Sequence, residues 1–194
     1  MTAVRLGVRS SSVLLCVLAL AAWAPARADS AAQQARAHRF ADKGMSTTLA
    51  ACDLPRTCQH RAPLKSTAHK RQTGNDLDVD ERELVFKGLD IEFLYVLGSF
   101  ELPKISPAQA YRDPVILELT VTTSDWPVDH GLRIGTPRAD VDKVLGDGGW
   151  PAPHVATTEP ACVSYVNDKT QNEARLCYVR DRLASIKWVQ WWDG

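Results

Sequence analysis

Two strand-like runs, ACVSYV (161–166) and EARLCYV (173–179), flank the polar stretch NDKTQN, and each run carries one cysteine. A hairpin centred between Lys169 and Thr170 places Cys162 directly opposite Cys177. Directly opposed residues of an antiparallel pair hold their Cβ atoms about 4.5–5.5 Å apart, which a small adjustment brings to bridging distance. A disulfide here would fix a strand register, and the register decides which side chains face inward. Four cysteines permit three connectivities, and this local pattern favours Cys162–Cys177 with Cys52–Cys58 across the short LPRTC loop.

Paired cysteines suit an oxidising compartment, and the N-terminus reads as a route to one. Residues 1–28 have the form of a secretory signal peptide. Arg5 and Arg9 give a positive start, residues 13–22 are apolar, and Ala26-Arg27-Ala28 supplies an A-x-A cleavage site before Asp29. A membrane anchor needs roughly 20 apolar residues, so this run is too short for one. Cys16 sits in VLLC, without the small residues that precede a lipidated cysteine. Removing 28 of the 194 residues leaves 166, enough for one domain with a modest core. Without Arg5, Arg9 and Arg27, the 23 basic residues fall to 20 against 23 acidic ones, a net charge of −3. That balance argues against nucleic acid or an anionic membrane as the principal partner.

Three zones follow the leader. Residues 29–58 form an N-terminal helical segment, in which Ser30 and Gln33 make a capping box and Gly44 a stop. Residues 59–80 read as a polar linker or disordered loop, because His60, Arg61, Lys65, His69, Lys70 and Arg71 precede Asp76, Asp78 and Asp80 with little apolar content. Residues 81–194 carry the core. ELVF and LDIEFLYV flank Lys87-Gly88, a tight hairpin turn. Leu89, Ile91, Phe93 and Tyr95 alternate with Asp90 and Glu92, and VILELTVTT alternates in the same way. Ser106, Pro107 and Gln109 mark a helix of about one turn. RLASIKWVQWW supplies a last strand. The predicted fold is α+β: an antiparallel sheet with a short helix packed on one face, two layers in all, stabilised by disulfides.

The short helix comes from HGLRIGTPRADVDKVLG (130–146). Thr136 is placed to cap it, Pro137 to occupy its first position and Asp140 to put an acid in its first turn. Val141, Val144 and Leu145 form its apolar stripe, and Gly146 ends it in a left-handed conformation. Neither G-x-x-x-x-G-K-[ST] nor G-x-G-x-x-G occurs, so the glycines start and stop a helix and do not cradle a phosphate. The order of this helix, a cross-linked hairpin and a final strand resembles the repeat of BamE-like and β-lactamase-inhibitor-like envelope proteins, over about residues 131–192. The resemblance implies a small exported binding protein with no active site, and it assigns no binding residues.

Nothing in the sequence specifies catalysis. G-x-S-x-G, H-E-x-x-H and S-H-G-C patterns do not occur. Asp125, Asp129 and His130 lie around Trp126-Pro127 in a polar loop, where a His beside acids is usually part of a solvated turn. His154, between prolines, reads the same way. Asp76, Asp78 and Asp80 open like a calcium loop, but Glu81 stands where that loop needs glycine and Lys87 where it needs glutamate. Cys52, Cys58 and His60 match no standard zinc spacing. No cofactor or metal is expected.

Function is instead sought at the aromatic tail, where Trp188, Trp191 and Trp192 fall within five residues. In a strand Trp188 and Trp192 share a face and Trp191 takes the other. One terminal strand cannot bury indoles on both sides, so at least one should be partly exposed and available to a partner. The expected function is an exported, periplasmic or secreted protein-binding module, an inhibitor or immunity protein acting on a partner enzyme. The alternatives are an envelope assembly component and an extracytoplasmic enzyme of unrecognised type.

Overall fold

The computed structural model of the chain describes residues 31–73, 77–99, 114–146, 150–151 and 161–192. The leader, Cys16, Ser30, Asp76, the helix expected at residues 106–109 and His154 lie outside them. The described residues open with helix α1 over residues 31–43, then α2 (Ser46–Leu49). Two short paired strands follow, β1 (Cys52–Asp53) and β2 (Thr57–Cys58), whose register sets Cys52 against Cys58. The rest is one antiparallel sheet. Its strands are β3 (Lys65–Gln72), β4 (Leu77–Phe86), β5 (Leu89–Ser99), β6 (Val115–Val121), β7 (Trp150–Pro151), β8 (Ala161–Val166), β9 (Glu173–Val179) and β10 (Arg182–Val189). Their spatial order is β3-β4-β5-β6-β10-β9-β8-β7, so two four-stranded meanders meet where the last strand pairs with β6. Between the meanders lie a single 3-10 turn (Asp129–Gly131) and helix α3 (Arg138–Leu145).

Both disulfides form as the sequence predicts. Cys162 pairs with Cys177 across β8 and β9 in the expected register, and Cys52 bonds Cys58. Lys87-Gly88 closes the β4–β5 hairpin, with Phe86 opposite Leu89 and Gly88 at φ 77°. A Cβ on Gly88 would also run into the Thr123 side chain, so only glycine suits this turn.

The core gathers the predicted face of β5 (Leu89, Ile91, Phe93 and Tyr95), Leu119 and Val121 of β6, and Ile186 and Trp188 of β10, all fully buried. Phe40 and Ala41 of α1 and Val141 and Leu145 of α3 belong to the same apolar cluster. Val144, placed on the same stripe as Val141 and Leu145, is only half-buried. The alternation in β6 breaks at one point. Glu118 faces Glu92 but Ile116 faces Phe93, leaving Leu117 as an extra residue, and this bulge turns Ile116 into the core.

Residues 65–72, expected within a linker, instead form β3. The segregated charges are the reason. Lys65, Lys70 and Arg71 lie on a strand antiparallel to the one that carries Asp78, Asp80, Glu81 and Glu83, so Lys65 meets Glu83 at 2.7 Å and Arg71 meets Glu81 at 2.5 Å. Cross-strand pairs of opposite charge hold an exposed edge strand that has no need of apolar residues.

Helix α3 departs from the expected start in one detail. Pro137 is its cap, in extended conformation, and no side chain caps it; the Thr136 hydroxyl accepts the Arg133 N–H at 3.2 Å instead. The helix start is braced by the β9–β10 turn, where Arg180 and Asp181 both take positive φ and the Asp181 carbonyl accepts the Arg138 N–H at 2.9 Å. One amide that an anion at this helix end would use is therefore already bonded. Gly146 ends the helix at φ 85° as expected.

Candidate functional site

The three tail tryptophans do not behave alike. Trp188, within β10, is fully buried; its ring lies 5.4 Å from that of Phe40 and its Nε1 donates to the Phe40 carbonyl at 3.0 Å. A Cβ on Gly44 would sit 2.9 Å from that indole nitrogen, so the glycine expected to stop α1 also lets the helix end approach the ring. Trp188 is therefore structural, which corrects its reading as a binding residue. Trp192 is half-buried. Trp191 is 68% exposed. The strand ends at Val189, so the face-by-face alternation assumed for the tail does not extend to Trp191 and Trp192.

Trp191 is nevertheless held in place. The carbonyl of the bulged Leu117 accepts the Gln190 N–H at 2.8 Å, and the Asn172 side chain accepts the Trp191 N–H at 3.2 Å. Asn172 is tied in turn to Asp42 on α1. The Asp42 carboxylate accepts from Asn167 at 2.5 Å, Thr170 at 2.6 Å and Asn172 at 3.1 Å, and its backbone carbonyl accepts from Gln190 at 3.1 Å. One residue, through its carboxylate and its backbone carbonyl, thus joins the end of α1, the β8–β9 turn and the tail. Charge-assisted bonds of this kind are the stronger class, and three on one carboxylate fix all its donors. A surface hollow of about 400 Å³, lined by Arg39, Asp42 and Lys43, shares that carboxylate. The result is an exposed indole whose backbone is tied, through Asn172, to Asp42.

This network was not legible in the sequence. NDKTQN reads as a polar turn, and nothing local to it points to Asp42, which lies more than 120 residues away. The β8–β9 hairpin, whose register pairs Cys162 with Cys177, puts Asn167, Thr170 and Asn172 together in its turn at one end of the sheet.

The other residues considered for chemistry are dispersed or engaged. His130 takes φ 58°, with Asp129 at 3.8 Å and the Phe40 ring at 6.1 Å; the Asp125 carbonyl instead accepts from Gln59 at 3.3 Å. Asp80 is buried and its carboxylate holds Arg82 at 2.9 Å, while Asp78 is exposed. Cys52 and Cys58 are consumed by their disulfide, leaving His60 without thiolate neighbours.

A carboxylate row that the sequence reading did not assemble crosses the polar face of the sheet. Glu83, Glu92 and Glu118 are directly abreast on β4, β5 and β6, with Glu81 and Asp90 adjoining. Burial raises the Glu92 carboxyl above its usual range, followed by its hydrogen bond to Glu81 and the charges of Glu81, Glu118 and Glu83. Burial, then Glu83 and Glu118, raises Asp90. Hydrogen bonds from Arg71 and Lys65 hold Glu81 and Glu83 below that range, although burial opposes both. Lys187 meets Glu118 at 2.7 Å on the far side of the row.

No protein-family model matches the chain, and neither a curated protein nor a solved structure is significantly similar to it.

Proposed function

We propose that the chain is an exported protein-binding module, periplasmic or secreted, that engages another envelope or secreted protein through Trp191. In this reading it acts as an inhibitor or immunity protein that occludes a partner enzyme, and it performs no catalysis itself. Its frame is a two-layer α+β domain with α3 packed on one sheet face, the arrangement that the resemblance of residues 131–192 to BamE-like and inhibitor-like envelope proteins implies. Two disulfides suit an oxidising compartment, and among the described residues no helix is long and apolar enough to cross a membrane.

The observation that carries the reading is the exposure of Trp191 on a fixed support. Tryptophan is enriched among the few residues that dominate binding energy, because it offers a large, nearly rigid apolar area with a polar edge. Ordering a mobile tail on binding would cost affinity; here the Asn172 and Leu117 contacts have ordered it beforehand. Arg39 and Lys43, which line the hollow at Asp42, favour a partner surface that carries carboxylates.

The test is capture of partners from the envelope extract of the source cells, with wild-type mature protein and Trp191→Ala as paired baits and mass spectrometry as the readout. The reading expects a protein enriched by the wild type and absent with the variant. Identical profiles from the two baits would overturn it.

A further inference from the structure

The two edges of the sheet differ sharply. The β7 edge is two residues long and ends in Pro151, so it offers little to another strand. The β3 edge is eight residues long, pairs among the described residues only with β4, and is exposed almost throughout. The Thr73 N–H donates to the Leu77 carbonyl at 2.9 Å, which sets the hydrogen-bonding phase of this hairpin. The β3–β4 register runs without a slip, so alternate residues from Gln72 back to Ser66 turn their N–H and C=O groups away from β4. Ser66, Ala68, Lys70 and Gln72 therefore present an open ladder.

The charge of this edge is one-sided. Between Lys65 and Gln72 there are Lys65, His69, Lys70 and Arg71, and no acid. Lys65 and Arg71 are engaged with Glu83 and Glu81. Lys70 lies opposite Asp80, but the Asp80 carboxylate is held by Arg82, and Lys70 makes no ion pair with a described residue. A second copy of the chain would set one cationic edge against another, which like-charge repulsion opposes.

We propose that the free edge of β3 accepts an extended, acidic segment of a partner protein as a ninth strand of the sheet. Main-chain hydrogen bonds to Ser66, Ala68, Lys70 and Gln72 supply the affinity, and Lys70 and His69, on opposite faces, select acidic side chains. This surface is distinct from the Trp191 support, which belongs to β10, α1 and the β8–β9 turn, and the inference stands or falls without it.

The experiment uses the mature protein and a labelled, terminally blocked decapeptide of alternating Glu and Val, with a Lys-Val counterpart as control. Fluorescence polarisation reads binding, and amide hydrogen exchange reads the edge. The proposal expects the acidic peptide to bind, the basic one not to, and slowed exchange at Ser66, Ala68, Lys70 and Gln72. Ala68→Pro removes an outward N–H that the β3–β4 ladder does not use, and it should weaken binding at least tenfold, as should Lys70→Glu. Trp191→Ala should bind the peptide like the wild type. If Ala68→Pro fails to fold, Lys70→Glu and the wild-type exchange pattern decide. Absence of binding, binding without protection of those four amides, equal binding of the basic peptide, or peptide binding unaffected by a folded Ala68→Pro would each overturn the proposal.

Discussion

Trp188 and Trp191 are three positions apart and lie in opposite environments, one fully buried and one exposed. Trp188 fills the space between β10 and the end of α1 and bonds the Phe40 carbonyl. Trp188→Ala should cost roughly 3–5 kcal/mol of stability, read by chemical denaturation. Trp191→Ala, which removes an exposed ring, should melt like the wild type. Glu92 gives a second single-residue test. Its carboxyl binds a proton more tightly in the folded chain than in the unfolded one, so its contribution to stability is fully present below its ordinary value of 4.5 and is lost as pH rises through the raised folded value. Once ionised, Glu92 stands between Glu83 and Glu118, where like charges directly opposite destabilise a sheet. Glu92→Gln should therefore melt above the wild type at pH 7, with the gap closing as pH falls below 4.5. Glu81 and Glu83, held low by Arg71 and Lys65, act with the opposite sign: their contribution is lost as pH falls through their folded values. A constant gap between variant and wild type across this range would refute the assignment to Glu92.

Among the secondary-structure elements, the hairpins were the most legible. Cys162 and Cys177, or Phe86-Lys87-Gly88-Leu89, fix register from a handful of adjacent residues, because an antiparallel pair with a short turn is a local structure. Opening the Cys162–Cys177 bridge with paired serine substitutions should cost about 3 kcal/mol, since the bond spans 15 residues. Helix α3 was legible in place and length. Its fine structure was not: the cap passed to Pro137 because the β9–β10 turn bonds the first helical amide, a long-range contact that the sequence does not announce. The burial within its stripe also assigns the sensitive position to Val141. Val141→Asp should unfold the domain, whereas Val144→Asp, at a half-buried site, should leave it folded with reduced stability. Strand β3 was missed for a physical reason. An edge strand held by cross-strand charge pairs has none of the apolar alternation by which strands are recognised, and only its alignment against Glu81 and Glu83 reveals it.

As a whole, the molecule places a packed indole and an exposed one, the proposed binding residue, on the same short tail. The last strand enters the middle of the sheet, between β6 and β9, so its side chains Leu183, Ile186 and Trp188 are committed to the core. The chain then leaves the sheet at the Leu117 bulge and is caught by Asn172 and, through Gln190, by Asp42, which turns Trp191 outward. The candidate site is thus a product of topology. Tryptophan spacing pointed to the tail, but which indole is exposed depends on where β10 ends, and its support comes from α1 and from a turn at the far end of a cross-linked hairpin. The most direct test is a calorimetric titration of the captured partner against wild type and Trp191→Ala, alongside thermal melts of both. A binding role for Trp191 predicts at least about thirtyfold weaker binding, some 2 kcal/mol, with an unchanged melting temperature. Equal affinity for the two proteins, or a loss of binding that merely follows a loss of fold, would contradict it.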